Sequence, residues 1–290
     1  MSAKILTGTN IRDERVAILA TKFADLDFLP ILTIIQVGNR PDSTSYIKAK
    51  ANFAKKIGVE VRLIILNENI CTDEVIEIIK KENENILVKG IIVQLPLPAQ
   101  LDKFTILESI DPKKDVDALT SESRKKWESD EGEVILPATA RGVKTLLKYY
   151  GIPLKNKNVV VIGRSDLVGR PIAIMCQNQG AKVEVCHRGT VDIKKNVIDA
   201  DIVIVATGNA NLIKKEMVKS GQIIIDVGIN AIFEDVEGKT SRKIVGDVDF
   251  ESCQGIAAAI TPVPGGVGPL TVAMLISNTF EAYKKNIDVR

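Results

Sequence analysis

The sequence predicts an α/β protein of two domains built on mostly parallel sheets. Three observations carry this expectation. The length of 290 residues exceeds a single domain of roughly 100 to 200 residues. Short apolar runs alternate with stretches of helical periodicity in both halves, the order that lays helices over parallel strands. From Asn158 a strand, a glycine turn, a helix and a second strand follow one another, the pattern of a parallel βαβ unit that takes ligands at the carboxyl ends of its strands.

The elements follow in order. Asn10 to Ala24 has helical periodicity, "ILTIIQV" reads as a buried strand, Ser43 to Lys56 as a helix, and "VEVRLIIL" as a second strand. Thr72 to about Asn83 is a further helix, followed by the strand "GIIVQL". The polar, charge-rich "TSESRKKWESDEG" from Thr120 to Gly132 contains the single tryptophan and reads as a connection rather than core, with a domain boundary soon after it. A second β/α series then runs through "NVVVIG", a helix to Gln177, "KVEVCH", "DIVIVATG", a short helix near Lys215 and "GQIIIDVGIN". Val267 to about Lys285 reads as one amphipathic helix that packs back on the first domain.

Composition narrows the chemistry. Apolar residues make up 45% and charged residues 26%, enough for an ordinary core and unlike a disordered chain. The 39 basic and 37 acidic side chains leave a formal charge of +2, which advertises no nucleic-acid surface. The opening residues lack the apolar core of a signal peptide, and no apolar run approaches the roughly 18 residues of a membrane span, so a cytoplasmic protein without a membrane partner is expected. Cys71, Cys176, Cys186 and Cys253 have no CxxC spacing and are expected as free thiols. With His187 as the single histidine, a multi-histidine zinc site cannot be built, and no metal is expected.

The segment "KNVVVIGRSDLVGRPIAIMCQNQGAKVEVCH" has the length of one dinucleotide-binding βαβ unit. Gly163 permits the tight turn and Gly169 lets the helix approach the strand, while free N–H groups at the helix start favour a phosphate. The spacing departs from GxGxxG, because Arg164 and Ser165 follow Gly163 directly, and an ordinary glycine-containing turn is the plain alternative. An NAD site usually carries an acid at the end of the second strand. Here "VEVCHRGT" places His187 and Arg188 there instead. With Arg164 and Ser165 they make a cationic, donor-rich pocket suited to a 2′-phosphate, favouring NADP over NAD. Arg188 as a solvated loop residue and His187 as a structural histidine remain open.

In "DSTSYIKAKANFAKKIG", Ser43 can cap a helix and Gly58 can end it, which puts Tyr46 and Lys50 on one face. A lysine exchanges protons near neutrality only if burial or neighbouring charge lowers its pKa from about 10.4. A solvated helix face is the bland alternative. The YxxxK spacing also occurs in short-chain dehydrogenases, but those resemble one another in placing the nucleotide turn before the pair, whereas here Gly163 comes long after it. "VQLPLP" sets Gln94 at a strand end, where a neutral amide can bond a lysine without fixing it as an ammonium. "DPKKDVDAL" places Asp117 in a loop able to accept donors from a heterocycle. "ITPVPGGVGPLT" is a turn whose backbone can approach a ligand.

Together these motifs resemble the bifunctional methylenetetrahydrofolate dehydrogenase/methenyltetrahydrofolate cyclohydrolase family over nearly the whole chain. The resemblance rests on "STSYIKAK", "VQLPLP", "KKDVDAL", "VIGRSDLVGRP", "VCHRGT", "ADIVIVATG", "DVGIN", "GDVDF" and "TPVPGGVGPLT", in the family's order. It implies a folate-binding catalytic domain from 1–139 plus 267–290, a Rossmann-like NADP-binding domain with a parallel sheet from 140–266, a cleft between them and a homodimer. Carried over by position, Lys50 resembles the general acid/base, Tyr46 and Gln94 its positioning partners, and Asp117 the pterin anchor. Pro264 and Gly268 match folate-site positions. Gly163, Arg164, Ser165, Arg188 and Ile229 match cofactor-binding positions, and Thr271 lies on the expected nicotinamide side.

The chain departs from the family's pattern at Ala118, where glycine is usual, at Ala140 in place of a proline, at Asn52 where a second lysine is frequent, and at Arg188 in place of a serine. Ala118 is expected to constrain the pterin loop and Ala140 to loosen the hinge. A monofunctional NAD-linked dehydrogenase of the same fold and a non-catalytic nucleotide-sensing module are the competing expectations.

Overall fold

The computed structural model describes residues 2–26, 28–39, 41–130, 132, 134–236 and 239–287, without the side chains of 41–46, 234–236, 239–240 and 286–287. Strand β1 (Lys4–Ile5) and helix α1 (Thr9–Ala24) are followed by β2 (Ile31–Val37), α2 (Pro41–Lys56), β3 (Glu60–Leu66), α3 (Thr72–Glu84), β4 (Val88–Val93), α4 (Lys103–Glu108), α5 (Ser121–Ser129) and α6 (Ala138–Tyr149). Then come β5 (Asn158–Ile162), α7 (Gly169–Asn178), β6 (Lys182–Cys186), α8 (Ile193–Asp199), β7 (Ile202–Val205), a 3-10 turn at Lys215–Met217 and β8 (Ile223–Asp226). A hairpin of β9 (Asn230–Val236) and β10 (Lys239–Val245), α9 (Phe250–Cys253), β11 (Ala259–Ile260) and α10 (Val267–Ile287) complete the chain.

Two compact units result, one of Asp13–Ala138 with Val272–Arg290 and the other of Met1–Arg12 with Thr139–Thr271. Residues 1–12, expected with the folate-binding part, group instead with the second unit. The cause is pairing: β1 lies parallel to β11, with Lys4 opposite Ala259 and Ile5 opposite Ile260.

In the first unit a parallel sheet has the order β3-β2-β4. Every residue of β2 and β4 is buried, which is why these strands read as continuous apolar runs rather than alternating ones. Because β3 and β4 lie on opposite sides of β2, the strand order reverses at its carboxyl end, the place where open α/β sheets accept ligands. Helix α10 packs here through Met274, Leu275 and Ile276. Its Asn278 donates to the carbonyls of Val116 at 2.8 Å and Leu136 at 2.9 Å.

The segment around Trp127 is not the plain connection its polarity predicts. Thr120 caps α5 by accepting the Ser123 amide at 3.2 Å. Trp127 is only 1% exposed, and its indole N–H donates to the Ala118 carbonyl at 3.1 Å. One large aromatic ring at the right helical phase outweighs its charged neighbours, which turn outward.

The second unit is an all-parallel six-stranded sheet of order β1-β11-β8-β7-β5-β6, a Rossmann-like architecture. Strands β6 and β7 flank β5, so here too the order reverses, at the carboxyl end of β5, where Gly163 begins the turn.

Candidate active site

In the first unit, α2 follows β2 and carries Lys50, while Gln94 directly follows β4 and is held by its backbone N–H, which donates to the Ile35 carbonyl at 2.8 Å. The Lys50 amine donates to Gln94 Oε1 at 3.0 Å, and Gln94 Nε2 donates to the Leu95 carbonyl at 2.9 Å. The amide is therefore oriented with its oxygen toward the lysine. Burial lowers the Lys50 pKa below the usual ammonium range, opposed by the negative charge of Asp117. Burial likewise pushes Asp117 upward, opposed by the Lys50 charge, with Asp115 adding to the rise and the Ala138 N–H pulling it down. Both members of this pair are displaced toward their neutral forms, the condition under which a buried amine can exchange protons.

The loop carrying Asp117 is built around two of its neighbours. Asp115 accepts the amides of Leu119 at 3.1 Å and Thr120 at 2.8 Å. That turn needs a left-handed residue, and Ala118 occupies it with φ +56°. For an alanine this costs roughly 1 kcal/mol or more, so the expected constraint at Ala118 is a backbone one. The amine of Lys114 caps the end of α3 from the same loop, donating to the carbonyls of Glu82 at 3.1 Å, Asn85 at 2.9 Å and Asn83.

Lys50, Gln94 and Asp117 are thus brought together. The backbone of Tyr46 lies in α2 one turn before Lys50, and its side chain is outside the described residues, as is that of Ser43. Asn52 is exposed.

In the second unit, Gly163 has φ +117°, and a Cβ there would meet the Ala206 carbonyl oxygen at 2.1 Å. A Cβ on Gly169 would meet the Gly163 carbonyl oxygen at 2.1 Å, so α7 starts directly against the turn. The Ser165 hydroxyl oxygen accepts the Gly169 amide at 3.4 Å. Arg164, Ser165 and, at the end of β6, Arg188 are all exposed, leaving their donors available for an anionic ligand. His187 is engaged in its own turn, with Nδ1 accepting the Gly189 amide at 3.0 Å and its backbone N–H donating to Thr190 Oγ1 at 2.9 Å. This is a structural use of the histidine. Ile229 is 42% exposed, and a Cβ on Gly268 would lie 3.4 Å from its Cδ1. Pro264 follows a cis peptide bond, and Thr271 bonds the Val267 carbonyl within α10 at 3.5 Å.

Comparison with known proteins decides the family. Residues 6–117 match the catalytic domain, and residues 137–287 the NAD(P)-binding domain, of tetrahydrofolate dehydrogenase/cyclohydrolase. The chain belongs to the tetrahydrofolate dehydrogenase/cyclohydrolase family. It is 40% identical over 288 residues to the bifunctional protein FolD of Brevibacillus brevis, covering 98% of this chain and 99% of that one. The crystal structure of FolD methylenetetrahydrofolate dehydrogenase/cyclohydrolase from Campylobacter jejuni matches with a TM-score of 0.92 at 41% identity, covering 98% of this chain and 100% of that one. The Trypanosoma brucei enzyme, solved with NADP cofactor and an inhibitor, matches with a TM-score of 0.94 at 35% identity over 99% of each chain.

Within this family frame, two residues stand out that sequence reasoning passed over as parts of motifs. Asp226, the last residue of β8, and Asp247, after β10, are 3% and 0% exposed. Burial pushes Asp226 up to about 7 against the pull of three backbone N–H donors. The available signal was a glycine near each acid, at Gly228 and Gly246. Among the described residues no group of three metal-ligating side chains occurs, and no helix is long and apolar enough to cross a membrane.

Proposed function

We propose that Lys50 is the general acid/base of a bifunctional enzyme that oxidises 5,10-methylenetetrahydrofolate with NADP⁺ and hydrolyses the resulting 5,10-methenyl cation to 10-formyltetrahydrofolate. The observation that carries this reading is the Lys50 amine, 3.0 Å from a neutral amide oxygen and lowered by burial. A carboxylate in the place of Gln94 would lock the ammonium; an amide oxygen holds the amine in position and leaves its proton exchangeable.

In the hydrolytic step water adds to the methenyl carbon, and neutral Lys50 takes one of its protons. Lys50 returns that proton to N5 as the carbon–N5 bond breaks, and the remaining hydroxyl proton leaves as the formyl carbonyl forms. Charge and atoms balance: cation plus water gives neutral product plus one proton. Asp117 anchors the pterin by accepting its amino and ring N–H groups, with Tyr46 and Gln94 lining the same site, and Pro264 and Gly268 serve the folate as well.

When bound, NADP⁺ supplies the hydride acceptor for the oxidative step. The second unit fits it: the switch point at Gly163 opens beside exposed Arg164, Ser165 and Arg188, and no acid stands at the end of β6 to select a free 2′-hydroxyl. Arg164, Ser165 and Arg188 hold the 2′-phosphate, and Gly163, Ile229 and Thr271 line the remainder. The folate-binding part is the unit of Asp13–Ala138 with Val272–Arg290. The family resemblance supports a homodimer, which a solution mass of twice the monomer tests. The likeness to bacterial FolD proteins supports a cytoplasmic location.

Absorbance assays of NADPH formation from methylenetetrahydrofolate, run with NADP⁺ and NAD⁺ in parallel, test substrate, reaction and cofactor together. Lys50→Met is expected to abolish hydrolysis of the methenyl substrate while NADPH still binds. Hydrolysis by that variant at the wild-type rate would overturn the role of Lys50, and a preference for NAD⁺ would overturn the 2′-phosphate assignment.

A further inference from the structure

The strand-end loops of the second unit are tied together by the two buried aspartates. Asp247 Oδ2 accepts the Thr207 amide at 2.5 Å, the Thr207 hydroxyl at 3.0 Å and the Gly208 amide at 3.0 Å. Its Oδ1 accepts the Asn230 side-chain amide at 2.8 Å. One carboxylate thus clamps the loop after β7 to the loop after β8. Asp226 supports the clamp from below: Oδ1 accepts the amides of Gly228 at 2.9 Å and Asp247 at 3.0 Å, and Oδ2 accepts the Val248 amide at 2.8 Å. The backbone is shaped around these groups. A Cβ on Gly228 would lie 2.2 Å from the Asp247 carboxyl, and one on Gly246 would lie 1.8 Å from Asp226 Oδ2, so neither position accepts another residue without moving a carboxylate.

We propose that Asp247, supported by Asp226, is a positioning residue for the dinucleotide, fixing Thr207–Gly208 and Gly228–Asn230 in the arrangement the cofactor requires. The proposal rests on the reading above that places the cofactor at Gly163 and Ile229. Ile229 lies between the two residues that the aspartates hold, Gly228 and Asn230. The loop after β7 adjoins the Gly163 turn, since the Ala206 carbonyl occupies the space a Cβ on Gly163 would need. With four donors already bound and no exposed surface, the Asp247 carboxylate is sealed from a polyanionic ligand. Its effect passes through the loops it holds. Loops held before binding lose less conformational freedom when the ligand arrives, which appears as affinity.

The test is calorimetric titration of NADP⁺ into the full-length wild type, D247A, D247N and N230A chains, at a temperature well below each melting point. D247A leaves four donors without their acceptor and is expected to raise the Kd at least about tenfold. D247N keeps an oxygen toward Thr207 and Gly208 and presents its NH₂ to Asn230, whose amide can turn over to accept it, so it is expected to recover to within about threefold of wild type. N230A removes only the tie to the second loop and is expected to weaken binding about threefold or more. A merely structural aspartate would lower the melting point and leave the Kd of the folded protein unchanged. Unchanged affinity in folded D247A overturns the proposal; should D247A fail to fold, unchanged affinity in N230A does so. A wild-type chain that does not bind NADP⁺ overturns both the proposal and the cofactor reading it rests on, whereas normal wild-type binding with unaltered variants overturns the proposal alone.

Discussion

Replacing Gln94 by glutamate tests the chemistry of the lysine with a change of one atom. The amide oxygen lies 3.0 Å from the Lys50 amine. A full negative charge at that distance is worth roughly 5 kcal/mol at an effective dielectric of about 20, or about four pKa units at about 1.4 kcal/mol each. Part of this is lost, because the new carboxylate must itself be desolvated, and its second oxygen faces the Leu95 carbonyl that now accepts the Gln94 NH₂ at 2.9 Å. Allowing half to survive, the Lys50 pKa rises by about two units. The sign follows directly. Burial lowers this amine in the wild type, and the added charge moves it back toward an ordinary ammonium, so at a fixed pH below its pKa the neutral fraction falls about tenfold per unit. On the acid side of the wild-type limb, Q94E is therefore expected to hydrolyse the methenyl substrate about 100-fold more slowly, with the rising limb of its pH–rate profile displaced upward by about two units. Q94A is the control: it removes the oxygen without adding charge, so its limb stays or moves downward. Stopped-flow absorbance of the methenyl substrate across pH 6 to about 9 provides the profile. A Q94E limb at the wild-type position, with a rate within about threefold, would refute the claim that a neutral amine does the work.

Two further outcomes follow from buried polar groups. Lys114→Met removes the donor shared by the carbonyls of Glu82, Asn83 and Asn85 and is expected to cost about 2–4 kcal/mol in urea unfolding of the first unit; a loss under about 0.5 kcal/mol would show that water replaces the amine without penalty. Asp226, raised from 3.8 to about 7, holds its proton in the folded state over a range where the unfolded chain releases it. Its stabilising contribution is full below about pH 4 and is lost as pH rises to about 7, amounting to roughly 4 kcal/mol over that window. Urea midpoints of wild type minus those of D226N, measured from pH 4.5 to about 7.5, should fall along this window; a flat difference would sink the assignment.

What was legible in the sequence follows from which interactions are local. Strands β2 and β4 are buried on both faces, so their apolar runs announce a parallel sheet. The phase of α2 and the end of β4 put Lys50 and Gln94 where a sheet of that kind takes ligands. The hairpin β9–β10 was not legible, because its residues are mixed in polarity and it pairs only with itself. Trp127 was missed because a local average of charge says nothing about a single ring finding a pocket and the Ala118 carbonyl.

The aspartate clamp lay further out of reach, and the reason bears on how glycine-rich loops are read. Asp226 and Asp247 lie 21 residues apart and meet only once the segments after β8 and β10 adjoin. A glycine in a strand-end loop invites the reading that a ligand approaches closely. In this chain the space a Cβ would need is taken by protein atoms: the Ala206 carbonyl at Gly163, the Gly163 carbonyl at Gly169, and the two carboxyls at Gly228 and Gly246. These glycines pack loop on loop. On the proposed assignment, discrimination of the ligand falls to groups that remain outside this packing, the exposed Arg164, Ser165 and Arg188 and the half-exposed Ile229. Cofactor choice should accordingly respond to those side chains, while the glycines and the aspartates behind them set how tightly either dinucleotide is held.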